Sequence, residues 1–174
     1  YRNYCLDLKG AALHPRYART IGRLMAPAVI ASRAEAVGGL AAGCIPIADA
    51  IAQAAFDDGI VLPTFFGRPE AKTHGPSDKS RLRQAAAEDE GPLIRPGRRV
   101  AIVEDAVTQG GAAMQATELA LGEECVVTLV MCVVERHEGG GARFRERGLN
   151  FARLFYTHED GSLHIDADVM ARAG

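Results

Sequence analysis

The sequence predicts an α/β fold, with an open and mostly parallel sheet flanked by helices. The apolar run 100–103 ends in two acids, and the run 125–134, interrupted by one threonine, ends in a glutamate and an arginine. Such runs are typical of buried strands. A glycine turn and a helical stretch to about Leu121 separate them. Strands that alternate with helices pair in parallel through right-handed crossovers, so the order of elements indicates an α/β sheet.

The beginning of the chain predicts a strand and then a helix. Leu6 and Leu8 flank Asp7, and this short alternation is typical of a strand or a strand end. After Pro15 the apolar residues recur at helical spacing, which predicts a helix over about 15–31. A proline in the first helical turn loses no needed N–H, so it supports that start.

A strand, tight loop and helix follow. Residues 36–37 predict a buried strand that feeds a glycine turn at 38–39, and Pro46 begins a helix that continues to about Phe56. Residues 60–66 are apolar with a β-branched start, and they predict a further strand.

The stretch 67–97 combines prolines, cations and an acidic run without a sustained hydrophobic period. Long irregular segments inside compact domains are usually functional lids or disordered, so we expect a long flexible loop. Beyond the two central strands, residues 142–147 predict a short helix and residues 151–156 a last strand.

Length and charge limit the possible functions. The 174 residues suit one domain, and we expect a single domain over 1–174, with further residues before Tyr1, where no methionine opens the chain. The 22 acidic residues outnumber the 20 basic ones, which argues against a nucleic-acid partner, since phosphate binding calls for a basic surface. The longest apolar run falls far short of the roughly 20 residues of a membrane span, so no membrane partner is expected.

The four cysteines predict neither a zinc site nor a dense disulfide framework. They lie far apart without a CxxC pair, at Cys5, Cys44, Cys125 and Cys132. A reducing cytoplasm fits this usage. Cys44 has no sequence neighbour that would lower its pKa, and we interpret it, with Cys125 and Cys132, as a small apolar residue.

Segment 100–112 carries most of the chemical information. Its apolar strand delivers Glu104 and Asp105 to the carboxyl end of the sheet, where open α/β folds bind ligands. The glycine-containing loop that follows opens a helix, whose bare N–H groups form an anion site. Carboxylates accept hydrogen bonds from ribose hydroxyls, directly or through bound Mg²⁺. A ribose 5-phosphate would therefore satisfy both parts of the segment.

An ordinary strand–loop–helix turn with a capping threonine is the alternative interpretation of this segment. The paired acids directly after the apolar strand count against it. The chain has no GxxxxGK[ST] and no strand that leads into GxGxxG, so the signatures of P-loop and dinucleotide sites are missing.

Several segments together resemble a known family. Residues 100–112 are similar to the motif that binds 5-phospho-α-D-ribosyl 1-diphosphate (PRPP) in type I phosphoribosyltransferases. Further segments resemble the orotate phosphoribosyltransferase branch and follow in the family's order along nearly the whole chain: Tyr4–Lys9, Val37–Leu40, Ile45–Ala48, Arg68–Gly75 and Val133–Arg136. The RxxxKxHG pattern of residues 68–75 singles out that branch. The resemblance implies a type I phosphoribosyltransferase-like sheet with a long flexible catalytic loop.

The resemblance also implies residue roles. Glu104 and Asp105 would hold the ribose hydroxyls, and Arg136 would pair with the orotate carboxylate, which suits its planar fork. Arg68, Lys72 and His74 would be the catalytic residues on the mobile loop that reaches the diphosphate. The residues implied to bind PRPP are Arg68, Lys72, His74, Glu104, Asp105, Ala106, Val107, Thr108, Gln109, Gly110, Gly111 and Ala112, and those implied to bind orotate are Tyr4, Thr108 and Arg136.

The activity implied by the resemblance is transfer of the phosphoribosyl group of PRPP to orotate, in the biosynthesis of pyrimidine nucleotides. Mg²⁺ would be held indirectly, through PRPP, near Glu104 and Asp105. The enzyme would be a cytoplasmic homodimer whose subunits share the catalytic loop. Residues 40–44 would form a loop that binds the diphosphate through its backbone N–H groups, although a structural turn explains these residues nearly as well.

Some residues depart from the family's pattern. Pro69 follows Arg68 where a second cation is common, Gly43 stands where many members have lysine, and Cys5 replaces a common aromatic residue. Ala112 replaces a frequent hydroxyl residue, and the link from the loop to the PRPP strand is longer. These departures leave two alternatives open: a phosphoribosyltransferase for another base, and a non-catalytic module that senses PRPP or a nucleotide.

Overall fold

The structure, a computed structural model, describes residues 8–69, 81–84 and 92–170. Its strands form one sheet in the order β3-β2-β1-β4-β5-β6-β7. Neighbouring strands from β2 to β6 are parallel, and β3 and β7 are short antiparallel edge strands. The bounds are β1 Ala36–Leu40, β2 Thr64–Gly67, β3 Leu82–Gln84, β4 Arg99–Val107, β5 Val126–Glu135, β6 Phe151–Thr157 and β7 Leu163–Ile165. The predicted open, mostly parallel sheet is confirmed.

Helices cover both faces of this sheet. Their bounds are α1 Leu8–Leu13, α2 Pro15–Ala31, α3 Cys44–Asp57, α4 Gly111–Gly122, α5 Gly140–Glu146 and α6 Ala167–Met170. The helices predicted over 15–31, from Pro46, up to Leu121 and over 142–147 correspond to α2, α3, α4 and α5. Among the described residues, no helix has the length and apolar character needed to cross a membrane.

The core consists of two apolar clusters, one on each face of the sheet. Ala101 and Val103 of β4 face a cluster with α1, α2, α3 and α6. Val100 and Ile102 face the other, with α4 and α5. The alternation follows from the two-residue period of a strand. Because β4 is covered on both sides, its sequence reads as a continuous apolar run.

The glycine turn expected at 38–39 is wrong, because both glycines lie inside β1. A β-carbon on Gly38 would lie 2.1 Å from the carbonyl oxygen of Phe65, and one on Gly39 would lie 2.2 Å from that of Val103. Glycine is therefore required here by the close approach of the neighbouring strands. The turn itself follows at residues 41–43, where the Ala41–Ala42 peptide bond is cis.

Other boundaries differ from the predictions for local reasons. Leu8 begins α1, so the strand expected around Leu6 and Leu8 is wrong for Leu8, while Leu6 lies outside the described residues. The strand expected over 60–66 is reduced to Thr64–Gly67, since Pro63 lacks an N–H to donate and Val61 is exposed. The last strand expected over 151–156 corresponds to β6, but β7 and α6 follow it.

Candidate active site

The candidate site lies along the carboxyl edge of the parallel strands. The residues at or just after the carboxyl ends of β2, β1, β4 and β5 meet there because these strands run in the same direction. From one side to the other, they are Arg68, the turn 41–43, the acids with the loop 108–111, and Arg136. We call 108–111 the glycine loop. Sites at this edge are general for open α/β sheets.

The two acids belong to β4 itself, which continues past them to Val107 because it stays paired with β5. Glu104 is buried, with 5% of its surface exposed, and Asp105 is half-buried. An Asp105 carboxylate oxygen accepts the N–H of Ala106 at 2.7 Å, and a Glu104 oxygen accepts the N–H of Asp105 at 3.3 Å. These bonds hold both carboxylates beside the backbone at the end of the strand.

The turn 41–43 packs directly against the acids. A β-carbon on Gly43 would lie 2.6 Å from a Glu104 oxygen and 3.1 Å from an Asp105 oxygen. The N–H of Ala41 donates to the carbonyl of Gly67 at 2.8 Å, which ties this turn to the end of β2. The position that the resemblance assigns to the diphosphate loop therefore lies between the acid pair and Arg68.

Cys44, the first residue of α3, is fully buried behind this turn. Burial, and next to it the negative charge of Glu104, raises the pKa of its thiol to about 12. Burial also raises the pKa of the Cys125 and Cys132 thiols. All three are free, which confirms their interpretation as small apolar residues.

The glycine loop leads into α4 with its N-terminal amides uncapped by side chains. Gly110, the residue before the helix, has a φ of 80°, a left-handed conformation that favours glycine. Gly111 and Ala112 are exposed, and nothing lies within 4 Å of where a β-carbon on Gly111 would stand. Open amides at the start of a 12-residue helix form an anion site.

Helix α5 supports the glycine loop from behind. The N–H of Gly140 donates to the carbonyl of Thr108 at 3.0 Å. The buried ring of Phe144 lies against Gly110, where a β-carbon would approach it to 3.0 Å, and it stacks on Phe151 with ring centroids 5.4 Å apart. The loop is thus held by a packed helix.

Arg136 follows β5 and lies beside the end of β4. Its backbone N–H donates to the carbonyl of Val107 at 2.8 Å, which joins the end of β5 to the end of β4. Its guanidinium lies 3.2 Å from a Glu138 carboxylate oxygen, in a partly exposed pair. The side chain of Val107 is buried in the core, so its backbone is the part that lines this edge.

Arg68 lies at the opposite end of the edge. Its N–H donates to the carbonyl of Arg81 at 2.9 Å, and the Arg81 guanidinium donates to the Arg68 carbonyl at 3.0 Å. Gln115 of α4 donates to the Pro69 carbonyl at 3.2 Å, so the stem of the segment that follows is attached to the helix of the anion site. Lys72, His74, Tyr4 and Cys5 lie outside the described residues.

Sequence reasoning missed an ionic cluster beside Arg136. Glu135 is buried, accepts the N–H of Gly141 at 2.8 Å and pairs with Arg153. Arg153 also pairs with Asp166 at 3.1 Å and lies 4.1 Å from the centre of the Tyr156 ring. Burial lowers the pKa of the Arg153 guanidinium, but its two carboxylate partners outweigh this and raise it. Only the fold brings Glu135, Arg153 and Asp166 together, because the chain separates these three charged residues by 13 to 31 positions.

Comparison with known proteins decides the family. The chain is 37% identical over 165 residues to an orotate phosphoribosyltransferase of Rhodopirellula baltica, an alignment that covers 91% of this chain and 80% of that protein. The chain belongs to the orotate phosphoribosyltransferase family. The resemblance noted from the sequence is confirmed. No protein-family model matches the chain.

Two solved members of the wider family share the fold. The crystal structure of Mycobacterium tuberculosis H37Rv orotate phosphoribosyltransferase in complex with PRPP has a TM-score of 0.72 and 29% identity, and it covers 86% of this chain and 79% of that one. A phosphoribosyltransferase from Corynebacterium diphtheriae has a TM-score of 0.70 and 31% identity over 88% of this chain and 87% of that one. The expected type I phosphoribosyltransferase fold is confirmed.

Proposed function

We propose that this chain transfers the phosphoribosyl group of PRPP to N1 of orotate, releasing diphosphate and forming orotidine 5′-monophosphate. The observation that carries the proposal is the continuous arrangement of the acid pair, the glycine loop and the uncapped start of α4, with Arg136 bonded to Val107 on the adjacent strand. One sugar phosphate and one carboxylate-bearing base can be held side by side along this edge.

The sugar phosphate is held at its two ends. Glu104 and Asp105 accept hydrogen bonds from the ribose hydroxyls, which charged acceptors bind more strongly than neutral ones. The amides of Gly111 and Ala112 receive the 5-phosphate at the start of α4. Thr108 lies between these groups and supplies a hydroxyl toward the phosphate and the base. The turn 41–43 provides backbone N–H groups for the diphosphate.

The base is held by Arg136. Its guanidinium can meet the orotate carboxylate with two parallel hydrogen bonds. Because orotate reacts as an anion at N1, it is already a competent nucleophile, and strong general-base catalysis is not required. Positioning and charge stabilisation then supply most of the acceleration.

The departing diphosphate needs cations. Cleavage of the bond to C1 leaves an oxocarbenium-like ribose and a leaving group whose negative charge grows. Arg68, Lys72 and His74 are assigned to that charge, and positive groups over it lower the barrier. Closure of the segment that carries Lys72 and His74 would exclude water, which otherwise hydrolyses the activated sugar. We also infer a homodimer that shares this segment between its subunits.

Mg²⁺ fits the donor groups at this edge. The described residues contain no cluster of three or more His, Cys, Asp or Glu side chains that could enclose a metal, but Mg²⁺ commonly binds through one or two carboxylates together with substrate phosphates. Glu104 and Asp105 would hold it through PRPP. When bound, the ion neutralises the charge of the diphosphate.

Orotate absorbance on mixing with PRPP and Mg²⁺ tests the proposed function. We expect a time-dependent spectral loss that requires all three components. Lys72→Ala should lower kcat at least about tenfold while the melting temperature stays unchanged, because the lysine is assigned to the leaving group. Binding of PRPP without spectral change would favour the sensing module, and turnover of a different base would favour another phosphoribosyltransferase. Equal kcat in wild type and variant would reject the assignment of Lys72.

Glu138→Gln is expected to lower the KM for orotate about two- to fivefold. The Glu138 carboxylate pairs with the guanidinium that must receive orotate, and partly exposed pairs of this kind amount to no more than about 1 kcal/mol. Removing the charge frees the arginine and removes a repulsion from the incoming carboxylate. Steady-state kinetics at saturating PRPP measure the effect.

Glu159→Gln is the matched control for this measurement. Glu159 pairs with His137 at 3.3 Å and is largely exposed, so its substitution removes the same charge without touching Arg136. An orotate KM that rises in Glu138→Gln would show instead that the glutamate orients the arginine.

A further inference from the structure

Arg143 places a guanidinium against the glycine loop. It is the fourth residue of α5, and its Nη1 donates to the carbonyl of Gln109 at 2.7 Å. Gln109 lies between Thr108 and Gly110 in the glycine loop and is exposed. A guanidinium has five N–H donors, so a single bond to a carbonyl leaves most of its donors available.

The position of Arg143 is fixed by the packing of α5. The helix is attached to the loop by the bond from Gly140 to Thr108, and Phe144 is buried against Gly110. A Glu135 carboxylate oxygen accepts the N–H of Gly141 at 2.8 Å. Arg143 lies between these anchored residues along the chain, and its backbone therefore has little freedom to move away from the loop.

Three of the arginines between positions 136 and 153 pair with carboxylates, whereas Arg143 does not. Arg147 pairs with Glu118 at 3.1 Å, Arg136 with Glu138 and Arg153 with Glu135 and Asp166. Among residues 8–69, 81–84 and 92–170, no carboxylate lies within ion-pair distance of the Arg143 guanidinium. Its contact with the protein is the neutral carbonyl of Gln109.

The anion site lacks a positive charge of its own. Residues 108–112 carry no ionisable side chain, and Glu104 and Asp105 bring two negative charges to the same edge of the sheet. A phosphate that reaches the amides of α4 is repelled by those carboxylates, and a cation beside the loop offsets this repulsion.

We propose that Arg143 is a further binding residue for the 5-phosphate of PRPP, joined to the glycine loop through Gln109 and supplying the cation that the loop sequence lacks. The inference rests on the proposed function, which it deepens at the same site. Arg143 thereby sets the affinity for the sugar phosphate and leaves that for the base unchanged.

Arg143→Gln tests the proposal in the full-length protein. We expect the KM for PRPP to rise about tenfold, while kcat and the KM for orotate change less than about twofold, since a hydrogen bond to a charged group is lost at the phosphate alone. Calorimetric titration with ribose 5-phosphate should show a similar loss of affinity without any turnover. Arg143→Lys keeps the charge and should recover part of the affinity.

Arg145→Gln is the matched control. Arg145 lies two positions further along the same helix, 5.2 Å from the centre of the Phe151 ring, and its substitution removes the same charge. Residues two apart on a helix do not share a face. We expect its KM for PRPP to stay within about twofold of wild type, and both variants to melt at the wild-type temperature.

The outcomes separate the two proposals. Normal PRPP and ribose 5-phosphate affinity in Arg143→Gln, in an enzyme that converts orotate, would overturn the role of Arg143 and leave the proposed function intact. An equal loss in Arg145→Gln would overturn it too, because the effect would then come from net charge. If wild type neither binds PRPP nor consumes orotate, the proposed function itself fails.

Discussion

The Asp105→Asn variant is expected to lose about 10²–10³-fold in kcat/KM for PRPP, the range seen when one preorganised polar group is removed from a charged transition state. Asp105 is half-buried, and its carboxylate is already oriented by the N–H of Ala106. Asparagine keeps the size of the side chain but replaces one acceptor oxygen by a donor and removes the negative charge that the proposed function places beside the ribose. Both ribose binding and charge stabilisation are weakened.

Steady-state kinetics and a thermal melt measure this prediction together. The melting temperature should stay near the wild-type value, since asparagine can still accept the Ala106 N–H. Asp57→Asn is the control, because Asp57 forms an exposed pair with Arg19 at 3.2 Å at the end of α3. A fully active Asp105→Asn enzyme would contradict the role of the acid pair in holding the ribose.

The Gly39→Ala variant is expected to lose about 3 kcal/mol of unfolding free energy, at the upper end of the usual cost of overpacking. The added methyl group would stand 2.2 Å from the Val103 carbonyl oxygen and 2.7 Å from the Cys44 β-carbon. To relieve this clash, strand β1 would have to move away from β4. The movement would occur at Val103, the residue before Glu104. Stability and the acid pair are affected together.

Chemical and thermal unfolding measure the loss, which corresponds to roughly 6–12 °C in melting temperature for a chain of this size. Gly122→Ala is the matched control. Nothing lies within 4 Å of a β-carbon at Gly122, the last residue of α4, and alanine is a better helix former. A Gly39→Ala protein with the melting temperature of wild type would show that the two strands can separate at little cost.

The parts of the fold with local signals could be predicted from the sequence. The strand Val126–Glu135 is indicated by an apolar run, and the helix Pro15–Ala31 by helical spacing after a proline, and neither signal needs tertiary information. The edge strands β3 and β7 have three residues each, too few to establish a period. The sequence favours a turn at the glycines 38–39 because glycine in a sequence does not reveal whether a bend or a neighbouring backbone requires it.

The candidate site divides in the same way. Glu104, Asp105 and the loop 108–111 are contiguous, so the sequence displays them as one motif. The contact between Arg143 and Gln109 spans 34 residues, and the pair of Arg136 and Glu138 depends on the conformation of a turn. No local pattern encodes the first contact, which arises when α5 packs against the loop, and none fixes the turn that sets the second.

The hydrogen bond between the Arg136 N–H and the Val107 carbonyl involves main-chain atoms alone. The spacing between the ends of β4 and β5 is therefore kept by any residue at position 136 that has a backbone N–H, which excludes only proline. If Arg136 holds the base as proposed, exchange at this position alters the accepted nucleobase while the proposed ribose site keeps its geometry. Related enzymes could diverge in base preference by this route without rebuilding the architecture that activates the sugar.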